Sequence, residues 1–142
     1  MKKKSVLLRG PLLTMSGYGI HSRQIFRWLM SRNDVDLRVQ PLPWGITSWI
    51  VNPDAEDGLI GEIMERSVKD VNMFDASFQL QLPNEWDPKL AYKNIGISAF
   101  IETDRCNPSW VQNCNNMTAI VAPSKHSLES VTNAGQLSVP AY

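Results

Sequence analysis

Cysteine is nearly absent from this chain, with only Cys106 and Cys114 among 142 residues. The two lie eight positions apart, without a CxxC spacing and without a histidine nearby. That fits neither a disulfide framework nor a zinc site, and a reduced, cytoplasmic protein is the simplest expectation. Net charge is absent as well. Fourteen basic residues balance fourteen acidic ones, so no overall field draws the chain to nucleic acid or to an anionic membrane. The one basic run, Lys2, Lys3 and Lys4, reads as a solvated tail. No apolar stretch is long enough to span a bilayer. The segment SVLLRGPLLTM has the outline of a signal peptide, but Arg9 and Pro11 interrupt it and no small-residue cleavage site follows.

Several catalytic signatures are also missing. The chain has no nucleophile elbow, no HExxH and no GxxxxGK[ST], which leaves serine hydrolase, zinc peptidase and P-loop chemistry without support, and no metal site is expected. What remains is ordinary for a folded domain: 43% hydrophobic and 20% charged residues, enough for one domain, residues 1–142, with a real core. Disordered and collagen-like classes are excluded.

Alternating strand and helix signals run along the chain. Residues 5–9 form a β-prone run ending at Gly10-Pro11. After the turn-rich PLLTMSGYG comes a helix with Ile25, Phe26, Leu29 and Met30 on one face. Residues 35–39 supply a second strand closed by Pro41 and Pro43. Residues 44–57 mix aromatics with turn formers and stay unassigned. Residues 58–71 recover a helical period, with Leu59, Ile60, Ile63, Met64, Val68 and Val71 opposite Glu62, Glu65, Arg66 and Lys69. Residues 76–82 alternate Phe78, Leu80 and Leu82 against Gln79 and Gln81, a third strand with one more polar face, ended by Pro83.

The stretch from Asn94 to Gly135 is the most informative. It holds a strand over 95–100, an acidic loop, and a helix announced by the Asn107 cap and Pro108, with Trp110, Cys114 and Met117 at helical spacing. A strand over 119–122 follows, then a helix capped by Ser124 with Leu128, Val131 and Ala134 on its apolar face, closed by Gly135. The pattern predicts an α/β fold: a Rossmann-like, mostly parallel sheet flanked by helices.

In such sheets ligands bind outside the carboxyl ends of the strands, which singles out Glu102, Thr103, Asp104 and Arg105 after one strand and Ser124 and Lys125 after another. Glu102 and Asp104 could serve as base, orienting group or hydroxyl-binding carboxylates, with Arg105 between them and the next helix. Equally, Asp104 leads into the Asn107 cap and Arg105 pairs with it at the surface. Strand-end position favours the functional role for Glu102 only. Ser16, Gly17 and Gly19 lie between the first strand and helix. There glycine allows close backbone approach and free amides favour a diphosphate or carboxylate, or else the turn needs glycine for its geometry alone. A dinucleotide fingerprint fits less well, because Ser22 stands at the third glycine position and no acidic residue closes the second strand. His21 and His126 sit where a neutral imidazole could hydrogen-bond a phosphate or hydroxyl, or be partly exposed polar residues. The five tryptophans read as packing, with Trp44 and Trp49 able to line a groove.

Two blocks, GPLLTMSGYGIHSRQIFRWL and IGISAFIETDRCNPSWVQNCNNMTAIVAPSKHSLESVTNAG, resemble the N-terminal domain of family-4 glycosyltransferases of the GT-B type, in the expected order over nearly the whole chain. The resemblance implies the acceptor-side half of a cleft between two Rossmann-like domains. The nucleotide-sugar donor would be held mainly by a C-terminal domain and no separate cofactor would be needed. It implies a catalytic and acceptor-binding position for Glu102, with Asp104, Arg105 and His21 on the acceptor side. Donor phosphate would be approached by Ser16, Gly17 and Gly19, with Ser124 and Lys125 facing the same cleft. The donor-binding residues of the second domain are not found in this sequence, so the isolated chain is expected to be a fragment or a separately encoded half, inactive alone. The alternative is a non-catalytic glycan- or nucleotide-binding α/β module.

Overall fold

The computed structural model describes residues 2–69 and 73–142. Five strands, β1 (Lys4–Gly10), β2 (Val35–Pro41), β3 (Phe74–Leu80), β4 (Ala91–Ile97) and β5 (Ala119–Val121), form one all-parallel sheet in the order β2-β1-β3-β4-β5. Four helices flank it: α1 (Gly17–Met30), α2 (Leu59–Glu65), α3 (Pro108–Asn115) and α4 (Lys125–Thr132). This is the α/β, Rossmann-like arrangement that the alternating pattern predicts. Its centre is the boundary between β1 and β3, because the connection from β1 leads to β2 on one side while β3 lies on the other. At such a switch point the loops diverge and leave a crevice at the carboxyl ends.

Among the described residues two larger apolar clusters and a small one around Leu7, Phe74 and Ala91 hold the layers together. Val6, Leu8 and Val39 of the sheet pack with Phe26 and Leu29 of α1 and Ile60 and Ile63 of α2. Phe26 is fully buried, so its truncation to alanine costs about 3–5 kcal/mol. Around β5, Ile120 meets Val111 and Cys114 of α3, Val131 of α4, and the rings of Trp86 and Phe100. Trp86 belongs to the β3–β4 connection, which contains only a short 3-10 turn over Pro83–Glu85. Its indole lies so close over Gly96 that a Cβ there would stand 2.7–2.8 Å from the ring atoms.

Four expectations need correction. The helix expected over 58–71 ends at Glu65. Beyond it the backbone pairs with the outer edge of β2, Val39 N donating to Arg66 O at 3.0 Å and Val68 N to Val39 O at 2.9 Å. An edge strand's free hydrogen bonds outcompete one more helical turn. Val71 lies outside the described residues. The strand expected over 95–100 stops at Ile97, because the Tyr18 hydroxyl accepts from Ala99 N at 3.0 Å and Ser98 Oγ accepts from Phe100 N at 3.0 Å. The chain then turns through Phe100, whose φ is 57°.

The strand expected over 76–82 runs Phe74–Leu80, and its glutamines are not solvated: Gln79 is fully buried and Gln81 nearly so. Gln79 donates to Ser77 Oγ at 3.0 Å and to Asp87 O at 2.7 Å and accepts from Asp87 N at 2.8 Å, while Ser77 donates to Asn94 Oδ1 at 2.8 Å. The polar stripe clamps the helix-poor β3–β4 connection to the sheet. On α1 the apolar face is rotated from that expected. Met30 is exposed, whereas Arg23 is buried, donating to Leu12 O at 2.8 Å and Thr14 O at 3.0 Å and pairing with Glu56 at 2.9 Å.

Candidate functional site at the carboxyl edge

The residues singled out by the sequence lie along one rim, the carboxyl edge of the sheet. Ser16 is the N-cap of α1 and is not free for a ligand, since its Oγ accepts from Gly19 N at 2.9 Å and shares a hydrogen with Thr14 Oγ1 at 2.8 Å. Gly17 and Gly19 form the opening turn of the helix rather than a loop before it. They differ sharply in surroundings. A Cβ on Gly17 would meet nothing within 4 Å, whereas one on Gly19 would collide with the Thr14 carbonyl oxygen. Gly19 is thus required by packing, and Gly17 alone leaves open backbone on the surface. The first amides of α1 have no partner within the helix and carry the positive end of its dipole.

Glu102, Asp104 and Arg105 occupy an exposed loop between β4 and α3. The loop is tied to α4 through its backbone. Asn133 Nδ2 donates to Asp104 O at 2.8 Å, Cys106 N donates to Ser130 O at 2.9 Å, and His126 Nε2 lies 3.4 Å from Glu102 O. Among the described residues no ion pair joins Arg105 to either carboxylate, so the alternative of a surface pairing with Asp104 does not form. Glu102 is exposed, and among the described residues its carboxylate has no hydrogen-bond or ion-pair partner. Ser124 caps α4, accepting from Ser127 N at 3.1 Å, and Lys125 opens that helix in solvent. His21 falls in the second turn of α1, and half-burial lowers its pKa below the ordinary value by desolvating the imidazolium.

The rim is braced by Tyr18. Its ring stacks on Trp44 with centroids 4.1 Å apart and planes 18° from parallel, and its hydroxyl reaches Ser98 Oγ at 3.1 Å. The start of α1, the loop after β2 and the end of β4 are joined through that one side chain. Beside Trp44, at the switch point, lies a depression of about 300 Å³. Arg9, Gln81 and Glu85 supply its polar groups, and Pro11, Pro43 and Trp44 its apolar wall. Sequence reasoning missed these polar residues. Two signals pointed to them: Arg9 interrupts an otherwise apolar strand, and Gln81 extends a polar alternation next to Pro83.

Fold and rim together define an α/β Rossmann-like domain whose singled-out residues lie along the carboxyl edge of the sheet. Among the described residues no helix is long and apolar enough to cross a membrane, and no cluster of three or more His, Cys, Asp or Glu side chains could hold a metal ion. No family model, curated protein or solved structure matches the chain.

Proposed function

We propose that the carboxyl edge is the acceptor-side wall of a sugar-transfer cleft, as the resemblance to family-4 glycosyltransferases implies. The observation that carries this reading is the state of Glu102, an exposed carboxylate without a partner among the described residues, on a loop tied to α4 through its backbone. The ties use backbone groups and leave the hydrogen-bonding capacity of the carboxylate unspent. In the proposed reaction an acceptor hydroxyl attacks the anomeric carbon of a nucleotide sugar. The bond to the nucleoside diphosphate breaks, and the hydroxyl proton leaves to a base, a role open to Glu102 or to the departing diphosphate. Asp104, Arg105 and His21 would bind acceptor hydroxyls. The free first amides of α1 at Gly17, with Lys125 across the rim, would meet donor phosphate.

Transfer requires donor and acceptor to be held together with the leaving diphosphate stabilised, which is the part of a second, donor-binding half. The partners in this reading are a nucleotide sugar, a hydroxyl acceptor and that half, and a reducing cytoplasm suits its two unpaired thiols. The test is a glycan array probed with the chain, followed by amide NMR titration with UDP- and GDP-sugars. Support would be a glycan whose affinity falls at least about tenfold in Glu102→Gln, together with shifts at Gly17 and Tyr18 on adding a nucleotide sugar. If no glycan binds and no nucleotide sugar shifts the rim, the reading is overturned.

A further inference from the structure

Large apolar side chains stand in solvent on two adjoining segments, the one that leads into α1 and the one that follows β2. Met15 is 65% exposed and Val51 71%, Trp49 is exposed as well, and Ile46 is wholly exposed. The segments lie side by side: Thr14 and Trp49 form an antiparallel bridge, Met15 N donates to Ser48 O at 2.9 Å, and Ile50 N donates to Leu13 O at 2.8 Å. Neither segment carries charge, since residues 10–20 and 39–53 include no Asp, Glu, Lys or Arg. Single apolar residues scattered over a surface need no explanation, whereas an uncharged group of them on adjoining segments marks a surface that something covers.

Shape and chemistry together select the partner. Ile46 follows Gly45, whose φ of 52° bends the chain, so the isoleucine stands on a protruding bend and not in a groove. A folded partner would need a socket cut to that tip, whereas the fluid interface of a bilayer accommodates any outline. Trp44 and Trp49 bracket Ile46 in sequence, and indole rings favour the boundary between hydrocarbon and headgroups. The base of the bend is ordered before any contact, because the Trp44 ring is stacked on Tyr18 and Thr47 Oγ1 donates to Trp44 O at 2.7 Å. Asp54 and Asp57 follow the second segment, and with no lysine or arginine in either segment the patch has no attraction for anionic headgroups.

We infer that residues 44–51, with Met15 beside them, are a docking surface for a zwitterionic lipid bilayer, into whose interface Ile46 inserts. The insertion is shallow and reversible, since a single bend buries only a few side chains. Binding comes from apolar area and not from charge, in keeping with a chain of zero net charge. The inference does not rest on the transferase reading, which concerns hydroxyl and phosphate groups.

The experiment is flotation of the whole chain with phosphatidylcholine vesicles, repeated with part of the lipid replaced by phosphatidylglycerol. The chain should float with phosphatidylcholine alone, its tryptophan emission should move to shorter wavelength, and phosphatidylglycerol should add nothing. Ile46→Asp and Val51→Asp should each weaken partitioning at least about tenfold. Both replace side chains in solvent, a melting curve checks each, and if one fails to fold the other decides. Tyr92→Asp, at an exposed ring near the amino end of β4, should bind as the parent chain does. No flotation, or equal loss in Tyr92→Asp, overturns the inference. So does binding that needs phosphatidylglycerol, which would assign it to the lysines at the start of the chain. Self-association that Ile46→Asp abolishes, without flotation, would overturn it in favour of a second copy as the partner. These vesicles carry neither glycan nor nucleotide sugar, so failure here leaves the transferase reading standing, and a blank glycan array leaves this inference standing.

Discussion

Gly17 and Gly19 stand two residues apart in the first turn of α1, and only one of them has to be glycine. With open space around it, Gly17→Ala should be neutral or add up to about 1 kcal/mol by removing backbone freedom from the unfolded chain. Gly19→Ala drives a methyl into the Thr14 carbonyl and should cost about 1–3 kcal/mol, the difference being read from urea melts of the two variants. Ionisable side chains at this scale give the stability its pH dependence. Burial holds the His21 pKa below 6.5, so as pH falls through that value the unfolded chain takes up a proton before the folded one and stability declines. The decline levels off once the folded imidazole is also charged. Asp75, whose carboxylate accepts from Ser5 N at 2.8 Å and Ser5 Oγ at 3.1 Å, has its pKa lowered by those bonds. Its contribution is present above the ordinary carboxylate pKa and is lost as pH falls through the lower folded value. Melts between about pH 8 and pH 3 should show a shoulder near neutrality that His21→Gln removes and an acid limb that Asp75→Asn flattens.

Elements depend on contacts of very different reach, and that decided which of them could be read from sequence. The caps of α3 and α4 are local: Asn107 Oδ1 accepts from Ser109 N at 3.0 Å and Ser124 from Ser127 N at 3.1 Å, each within three residues. Both were legible, and Ser124→Ala should destabilise the fold by about 1 kcal/mol in a denaturant titration. The end of β4 was not legible, because the group that takes the Ala99 amide is Tyr18, eighty-one positions earlier. Nor was the early end of α2, fixed by pairing with Val39 across the edge of β2. The period of Gln79 and Gln81 was seen, but its orientation depended on the Asp87 backbone, which the pattern cannot display. The same limit hid the depression: the strand-end rule found the rim, while Arg9 read only as a break in an apolar run. The β3–β4 connection gives a sharper test. Gly96→Ala should cost about 1–3 kcal/mol through contact with Trp86, and a smaller side chain in Trp86→Leu should recover part of that loss, a non-additivity that a double-mutant cycle measures.

At the scale of the whole molecule, the two thiols report on global opening. Cys106 and Cys114 are both buried in one cluster, and burial, with Cys106 alongside, pushes the Cys114 thiol up to about 12. Since the thiolate is the reactive species, Cys114 should resist a thiol reagent in the native chain at neutral pH. Its labelling rate should rise with urea in step with unfolding measured by fluorescence; fast labelling without urea would contradict the packing around α3. The sheet's two outer margins complete the picture. Residues 66–68 bond to Val39 on the β2 side, and residues 140–142 bond to Ile120 and Ala122 on the β5 side, with N to O distances of 2.9–3.1 Å. Each short segment occupies hydrogen-bonding positions that a foreign strand would otherwise use. The sheet is therefore guarded at those positions against growing sideways into a neighbouring copy, the route by which exposed strands seed aggregates.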